Sequence, residues 1–342
     1  MQSGLVLVTG ANGFVGKWCV LELLRAGYSV RGTVRSEGRA EAVRTAVREH
    51  LGEGALTQLS FVLADLTRDG QWSKAVWGVD AIMHVASPVL ANEPVDADEV
   101  VGPALEGTER LFRFAIAAGV KRFVMTASVA TIGYGLGQVG GERTYTEADF
   151  TDLDGIRRPW ADCIGKTRAE RTAWAYARAE DLALTTIHPG VILGPALDRD
   201  VSASLQLVSR LLDGSAAAMP SNGVCVVDVR DVAAMHVTAL QNPQSVGQRY
   251  IAASGYLAFA DIAGILRRAY SDRQMTPKTA PDWLISLKAR FGQANRQVIN
   301  DIGTIKLFDG RKGEALLGRA YINPEQAVLS TAESVIRLGL VE

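Results

Sequence analysis

Seven residues near the start limit the fold most: Gly10, Ala11, Asn12, Gly13, Phe14, Val15 and Gly16 spell G-x-x-G-x-x-G. They follow Leu5, Val6, Leu7 and Val8, a continuous apolar run suited to a parallel strand buried on both faces. After them Trp18, Val20, Leu21 and Leu24 recur at helical spacing, and Gly27 supplies the stop. Strand, glycine loop and helix in this order make an anion cradle. A Cβ would obstruct the tight turn, the approach of a pyrophosphate and the packing of helix on strand, and the helix N-terminus favours negative charge. Gly10, Asn12, Gly13, Phe14, Val15 and Gly16 are therefore candidate dinucleotide ligands; the alternative is a packing turn that binds nothing.

The alternation continues. Strand patterns at residues 29–34, 59–63, 81–85, 122–126 and 183–187 are separated by helical patterns at 39–50, 73–77, 105–118 and 162–180. This order predicts an α/β, Rossmann-type doubly wound parallel sheet. Beyond His188, Pro189 and Gly190 the regularity weakens. Residues 194–223 read as an insertion carrying a helix, 224–229 as a returning strand, and 232–240 as a helix. The tail shows helical patterns at 261–270 and 283–291, with Ser330 and Glu333 as a capping box before the last helix. A length of 342 residues suits about two domains of about 150. The expected division is a nucleotide domain of residues 1–190 and 224–254, with a smaller substrate lobe of 191–223 and 255–342.

Charge and cysteine usage narrow the partners. The 36 basic residues nearly cancel the 37 acidic ones, so no global field points to nucleic acid or an anionic membrane, and a small molecule is the expected partner. No apolar run reaches the roughly 18 residues of a spanning helix. Only Met1 to Gly4 precede the first apolar run, too few for a signal peptide. Cys19, Cys163 and Cys225 are widely separated, which excludes a disulfide framework and points to the reducing cytoplasm. His84, His188 and His236 form no metal-like cluster, so no metal is expected and their roles read as structural.

At the end of the second strand pattern stand Arg35 and Ser36, with no carboxylate there to take ribose hydroxyls. An arginine at this point suits a 2′-phosphate, so NADP(H) is favoured over NAD(H). The alternative is that Arg35 is a solvated loop charge.

Residues 9–18 and 31–36, the run His84-Val85-Ala86-Ser87-Pro88, and residues 227–231 together resemble the extended short-chain dehydrogenase/reductases, especially the dihydroflavonol-reductase-like and bacterial aldehyde-reductase-like branch. The resemblance covers essentially the whole chain and weakens after about Tyr256. It implies that Asp65 and Leu66 border the adenine, Ala86 and Ser87 line the channel from phosphate to nicotinamide, and Pro189 and Val191 sit beside the nicotinamide. It also implies a homodimer.

In that family a serine, a tyrosine and a lysine act together, the last two on one helix at Y-x-x-x-K, a spacing that puts both on one face. Ser128 matches the serine and Lys166 the lysine. Four residues before Lys166 stands Asp162, so the resemblance implies that the family tyrosine is replaced. An aspartate carboxylate ends roughly 3 Å short of a phenol oxygen, enough room for a water or a larger substrate. With a reference pKa near 4, it is a poor acid at neutral pH, and losing a positioned acid costs about 10²- to 10⁴-fold.

Three functions follow as alternatives. One is NADPH-dependent reduction of an aldehyde or ketone with atypical proton delivery. Another is reduction of C=N, in which Asp162 stabilises an iminium. The third is a catalytically silent NADP(H)-binding protein. Trp160, Ile132, Ile192 and Leu193 are candidates for an apolar substrate wall, with ordinary core residues as the alternative, and Arg157 or Arg158 for a substrate carboxylate.

Overall fold

The structure is a computed structural model; it describes residues 4–87, 98–137, 140–156, 159–200, 202–216, 218–273, 275, 278–281 and 300–341. Its centre is a seven-stranded sheet built from β1 (Leu5–Thr9), β2 (Ser29–Val34), β3 (Leu59–Leu63), β4 (Ala81–His84), β5 (Arg122–Thr126), β7 (Ala183–Pro189) and β11 (Arg249–Ala252). The spatial order is β3-β2-β1-β4-β5-β7-β11, and every pairing is parallel. Strand order reverses between β1 and β4, and in such sheets the crevice outside the carboxyl ends at that reversal takes the ligand.

Helices cover both faces. On one, α1 (Phe14–Arg25) buries Trp18, Cys19, Val20, Leu21 and Leu23 in a core shared with α2 (Glu37–Leu51) and α7 (Val229–Gln241). On the other, α3 (Trp72–Val76), α4 (Asp98–Ala117) and α5 (Ala161–Ala179) enclose Leu111, Phe112, Phe123, Ala173 and Leu184. Each fully buried large apolar side chain contributes about 1.5–3 kcal/mol. The sequence expectation of a doubly wound parallel sheet is met.

A three-stranded sheet forms a second layer: β8 (Val191–Leu193) runs parallel to β10 (Gly223–Asp228), which pairs antiparallel with β12 (Gly255–Ala258). It packs with α6 (Ala203–Leu212), α8 (Phe259–Ala269) and a last helix described below. Two short parallel pairs complete the strands: β6 (Gly141–Tyr145) with β14 (Thr304–Phe308), and β9 (Ala218–Met219) with β13 (Lys278–Thr279). Of residues 224–254, expected to return to the nucleotide domain, α7 and β11 join the large layer, whereas β10 pairs in the small sheet.

Two local expectations change. Helix α4 begins at Asp98 and runs through Pro103, upstream of the expected start. Ser330 and Glu333 do not cap the last helix. After α9 (Arg311–Leu317), α10 spans Pro324–Arg337, so both residues lie inside it. Its cap is Asn323, whose side chain accepts from the Glu325 amide at 2.8 Å, with Pro324 preset for the first turn. The helical pattern at 283–291 lies outside the described residues, as do Arg157 and Arg158.

Candidate active site

The candidate cofactor residues after β1, β2, β3, β4 and β7, and Ser128 after β5, follow the carboxyl ends of strands of the large sheet. Gly10 has φ +64, a left-handed conformation that favours glycine, and an added Cβ would sit 3.0 Å from the Ala86 Cα and Cβ. A Cβ at Gly16 would collide with the Gly10 carbonyl oxygen. Thr9 ties the two loops together: its Oγ1 accepts from the amides of Val85 and Ala86 at 3.1 and 3.0 Å. Gly13 starts α1 without a side-chain cap, and the first turn holds no acidic residue, so its amide donors and helix dipole face an anion unopposed. These features fit a dinucleotide pyrophosphate.

Arg35 is exposed just beyond β2, and Ser36 heads α2 without making a side-chain cap bond. At the end of the neighbouring β3, Asp65 accepts from the Thr67 amide and hydroxyl at 2.9 and 2.8 Å. Those bonds, with Arg35 nearby, hold its carboxyl below the usual range. Leu66 packs against α4 at Gly107, where a Cβ would lie 2.8 Å from its own Cβ. Ala86 and Ser87 follow β4, both partly buried. Pro189 and Val191 flank Gly190, where the chain leaves the large sheet for the small one. A Cβ on Gly190 would strike the Cys225 carbonyl.

Ser128 follows β5 and caps a short 3-10 turn, Val129–Thr131; its Oγ accepts from the Ala130 amide at 3.1 Å, which leaves its own proton to donate. Asp162 lies in the first turn of α5 and Lys166 one turn later, both partly buried. Burial lowers the Lys166 pKa, and the carboxylate of Asp162 opposes that shift. Among the described residues, no hydrogen bond or ion pair engages the Lys166 ammonium.

Beneath Ser128 lies a buried polar network that sequence reading missed. Glu170, one turn beyond Lys166, receives Arg249 through Nε at 2.8 Å and Nη2 at 3.2 Å. Arg249 also donates to the carbonyls of Glu147 and Asp149. His188 meets Thr131 Oγ1 at 3.0 Å and Thr186 Oγ1 at 2.8 Å, and burial pushes its pKa down to about 4. The network locks the turn after Ser128 against α5, and removing one partner of such a buried pair costs about 3–5 kcal/mol. Its sequence signal was an acidic residue in the helix interior, four positions after Lys166.

Other side chains of this region fall in separate clusters. Tyr145 is 2% exposed on β6, stacked on Phe308, in a cluster with Ile132 and Cys225. Tyr134 packs edge-on against Trp160 and donates to Asp301 at 3.1 Å. The substrate wall is not one surface: Ile132, Trp160 and Leu193 are buried in three different clusters, because each strand or turn that carries them faces a different layer. Cys163 is buried, its Sγ directed at the Ala130 carbonyl, and burial pushes its pKa up to about 12, so it is no nucleophile.

Fold and glycine cradle together define a dinucleotide-binding α/β protein. Residues 6–253 match the NAD dependent epimerase/dehydratase family, and the chain belongs to it. It is 35% identical over 279 residues to dihydroflavonol 4-reductase of Zea mays, covering 79% of this chain and 76% of that one. Cinnamoyl-CoA reductase 1 of Arabidopsis thaliana is 33% identical over 343 residues, covering 98% and 95%. Among solved structures, yeast methylglyoxal/isovaleraldehyde reductase Gre2 complexed with NADPH is similar at TM-score 0.78 and 24% identity, covering 98% of this chain and 99% of that one. Vestitone reductase from alfalfa is similar at TM-score 0.76 and 22% identity, covering 99% and 100%.

Proposed function

We propose that this chain is an NADP(H)-dependent reductase of small or medium-sized aldehydes or ketones, with Asp162 standing where related reductases carry a tyrosine. What supports it is that Ser128 follows β5 and the glycine cradle follows β1, and that the first turn of α5, which carries Asp162 and leads to Lys166, packs on the turn after Ser128 through Cys163 Sγ and the Ala130 carbonyl. The similarity to chains named as reductases supports it.

When bound, the reduced dinucleotide supplies a hydride. The cradle of Gly10, Asn12, Gly13, Phe14, Val15 and Gly16 holds its pyrophosphate, and Arg35 and Ser36 donate to its 2′-phosphate. Arg39, one helical turn further, adds a second guanidinium that sequence reading missed. Asp65 and Leu66 border the adenine; Ala86, Ser87, Pro189 and Val191 border the path to the nicotinamide. Lys166 donates to the adjoining ribose. The Ser128 hydroxyl donates to the substrate oxygen and fixes its position. An aspartate is shorter than a tyrosine, so a water drawn from solvent into the space a phenol would fill donates the proton to that oxygen, and the hydroxide left behind is reprotonated from solvent. The three buried free cysteines fit a reducing compartment.

A carboxylate beside the reacting centre favours a second reading, reduction of an iminium, whose positive charge Asp162 stabilises. The test is NADPH consumption with a panel of aldehydes, ketones and cyclic imines. Turnover of carbonyls supports the first reading, and turnover of imines alone supports the second. Cofactor binding without any turnover supports a silent NADP(H)-binding protein and contradicts both.

A further inference from the structure

Residues 194–200 leave β8 and cross from the small layer to the large one. Their first part is pinned on both sides. Thr331 Oγ1 accepts from the Gly194 amide at 2.7 Å and Ser334 Oγ from the Ala196 amide at 2.8 Å, both from α10. Trp18 Nε1, on α1, donates to the Pro195 carbonyl at 3.0 Å. Lys17, 2% exposed, pairs with Asp198 at 2.6 Å. The far end differs: Asp200 reaches Arg39 at 3.2 Å, and the two side chains are 58% and 40% exposed. The Asp198 carboxylate accepts from the Asp200 amide at 3.1 Å and so orients this end of the segment.

Arg39 sits in the first turn of α2, behind Ser36 and Arg35, and its amide donates to the Ser36 carbonyl. Its guanidinium thus holds a carboxylate beside the place where the proposed 2′-phosphate binds. We infer that Asp200 is an internal competitor for that phosphate: the phosphorylated cofactor takes Arg39 from Asp200 and frees the end of residues 194–200, whose other end is fixed to α10. A phosphate offers Arg39 a bidentate, more highly charged partner, and an exposed carboxylate pair yields at little cost. The buried Lys17–Asp198 pair stays closed. Asp200 thereby sets the margin by which the protein prefers phosphorylated over unphosphorylated dinucleotide, and cofactor binding is felt in the substrate lobe.

This inference rests on the NADP(H) reading. The test is Asp200→Asn, with titration of NADPH, NADH, adenosine 2′,5′-bisphosphate and AMP. The expected result is about two- to fivefold tighter binding of the two 2′-phosphorylated ligands, with NADH and AMP unchanged. In the wild type, adenosine 2′,5′-bisphosphate should speed hydrogen exchange at residues 198–200 and AMP should not. A wild type that prefers NADPH, combined with a variant of unchanged affinities, overturns the inference and leaves the cofactor reading intact. A wild type that binds NADPH and NADH equally overturns both.

Discussion

The carboxylate of Asp162 raises the proton affinity of Lys166, one helical turn away, against the burial that lowers it. Among the described residues, Asp162 is the anion that opposes the effect of burial on this ammonium. The charge-assisted hydrogen bond proposed from it to a ribose requires the protonated form.

Replacing that anion therefore moves a pH limb. The charged form of Lys166 is lost as pH rises through its pKa, and Asp162→Asn removes the group that holds this pKa up. The alkaline limb of NADPH binding should move to lower pH in the variant. A binding profile measured from neutral to alkaline pH checks it; a limb that stays in place, or moves upward, contradicts the pairing.

Asp162→Tyr puts a phenol where the proposed function expects a proton donor. Carbonyl reduction should rise by at least about tenfold in kcat, within the range a positioned general acid supplies. No gain in a correctly folded variant would show that proton delivery is not what limits the wild type.

Arg35→Ala removes a guanidinium from the proposed 2′-phosphate site. Charge-assisted hydrogen bonds are worth about 1.5–3 kcal/mol, so NADPH affinity should fall about 10- to 100-fold. NADH affinity should hardly change. Equal losses for both cofactors would place Arg35 outside the phosphate site.

Acid stability should report the buried imidazoles. Burial lowers His84 to about 3 and His188 and His236 to about 4. An unfolded histidine titrates near 6.5, so between that pH and the lowered values the unfolded chain binds more protons. Stability is thus complete above about pH 6.5 and falls as pH drops, by up to about 1.4 kcal/mol per pH unit for each histidine. Thermal melts should show Tm declining below about pH 6. A Tm that is flat down to about pH 4 would mean that these rings are hydrated.

Sequence reading recovered the doubly wound sheet because strands and helices alternate and β1 opens the chain as a continuous apolar run, and each glycine of the first loop answers a steric need that the structure confirms at Gly10 and Gly16. Ser128 and Lys166 are assigned by their match to the motif of the family that the chain resembles. The Glu170–Arg249–His188 network escaped because its members are 61 to 79 positions from one another in pairs involving Arg249 and only meet across β7, β11 and α5. Arg39 and Asp200, 161 positions apart, escaped for the same reason. Leu193 reads as an apolar site lining in sequence, yet β8 turns it into the core of the small layer. Pro324 and Asn323 set the true start of α10, a local signal that the later Ser330 and Glu333 pair obscured.

Isotope transfer tests the proposed reductase most directly. The protein is incubated with NADPH carrying deuterium at its transferable position and a panel of aldehydes and ketones, and the products are weighed by mass spectrometry. The expected result is an alcohol carrying one deuterium for each NADPH consumed. Tight NADPH binding with no deuterium in any carbonyl-derived product would contradict it.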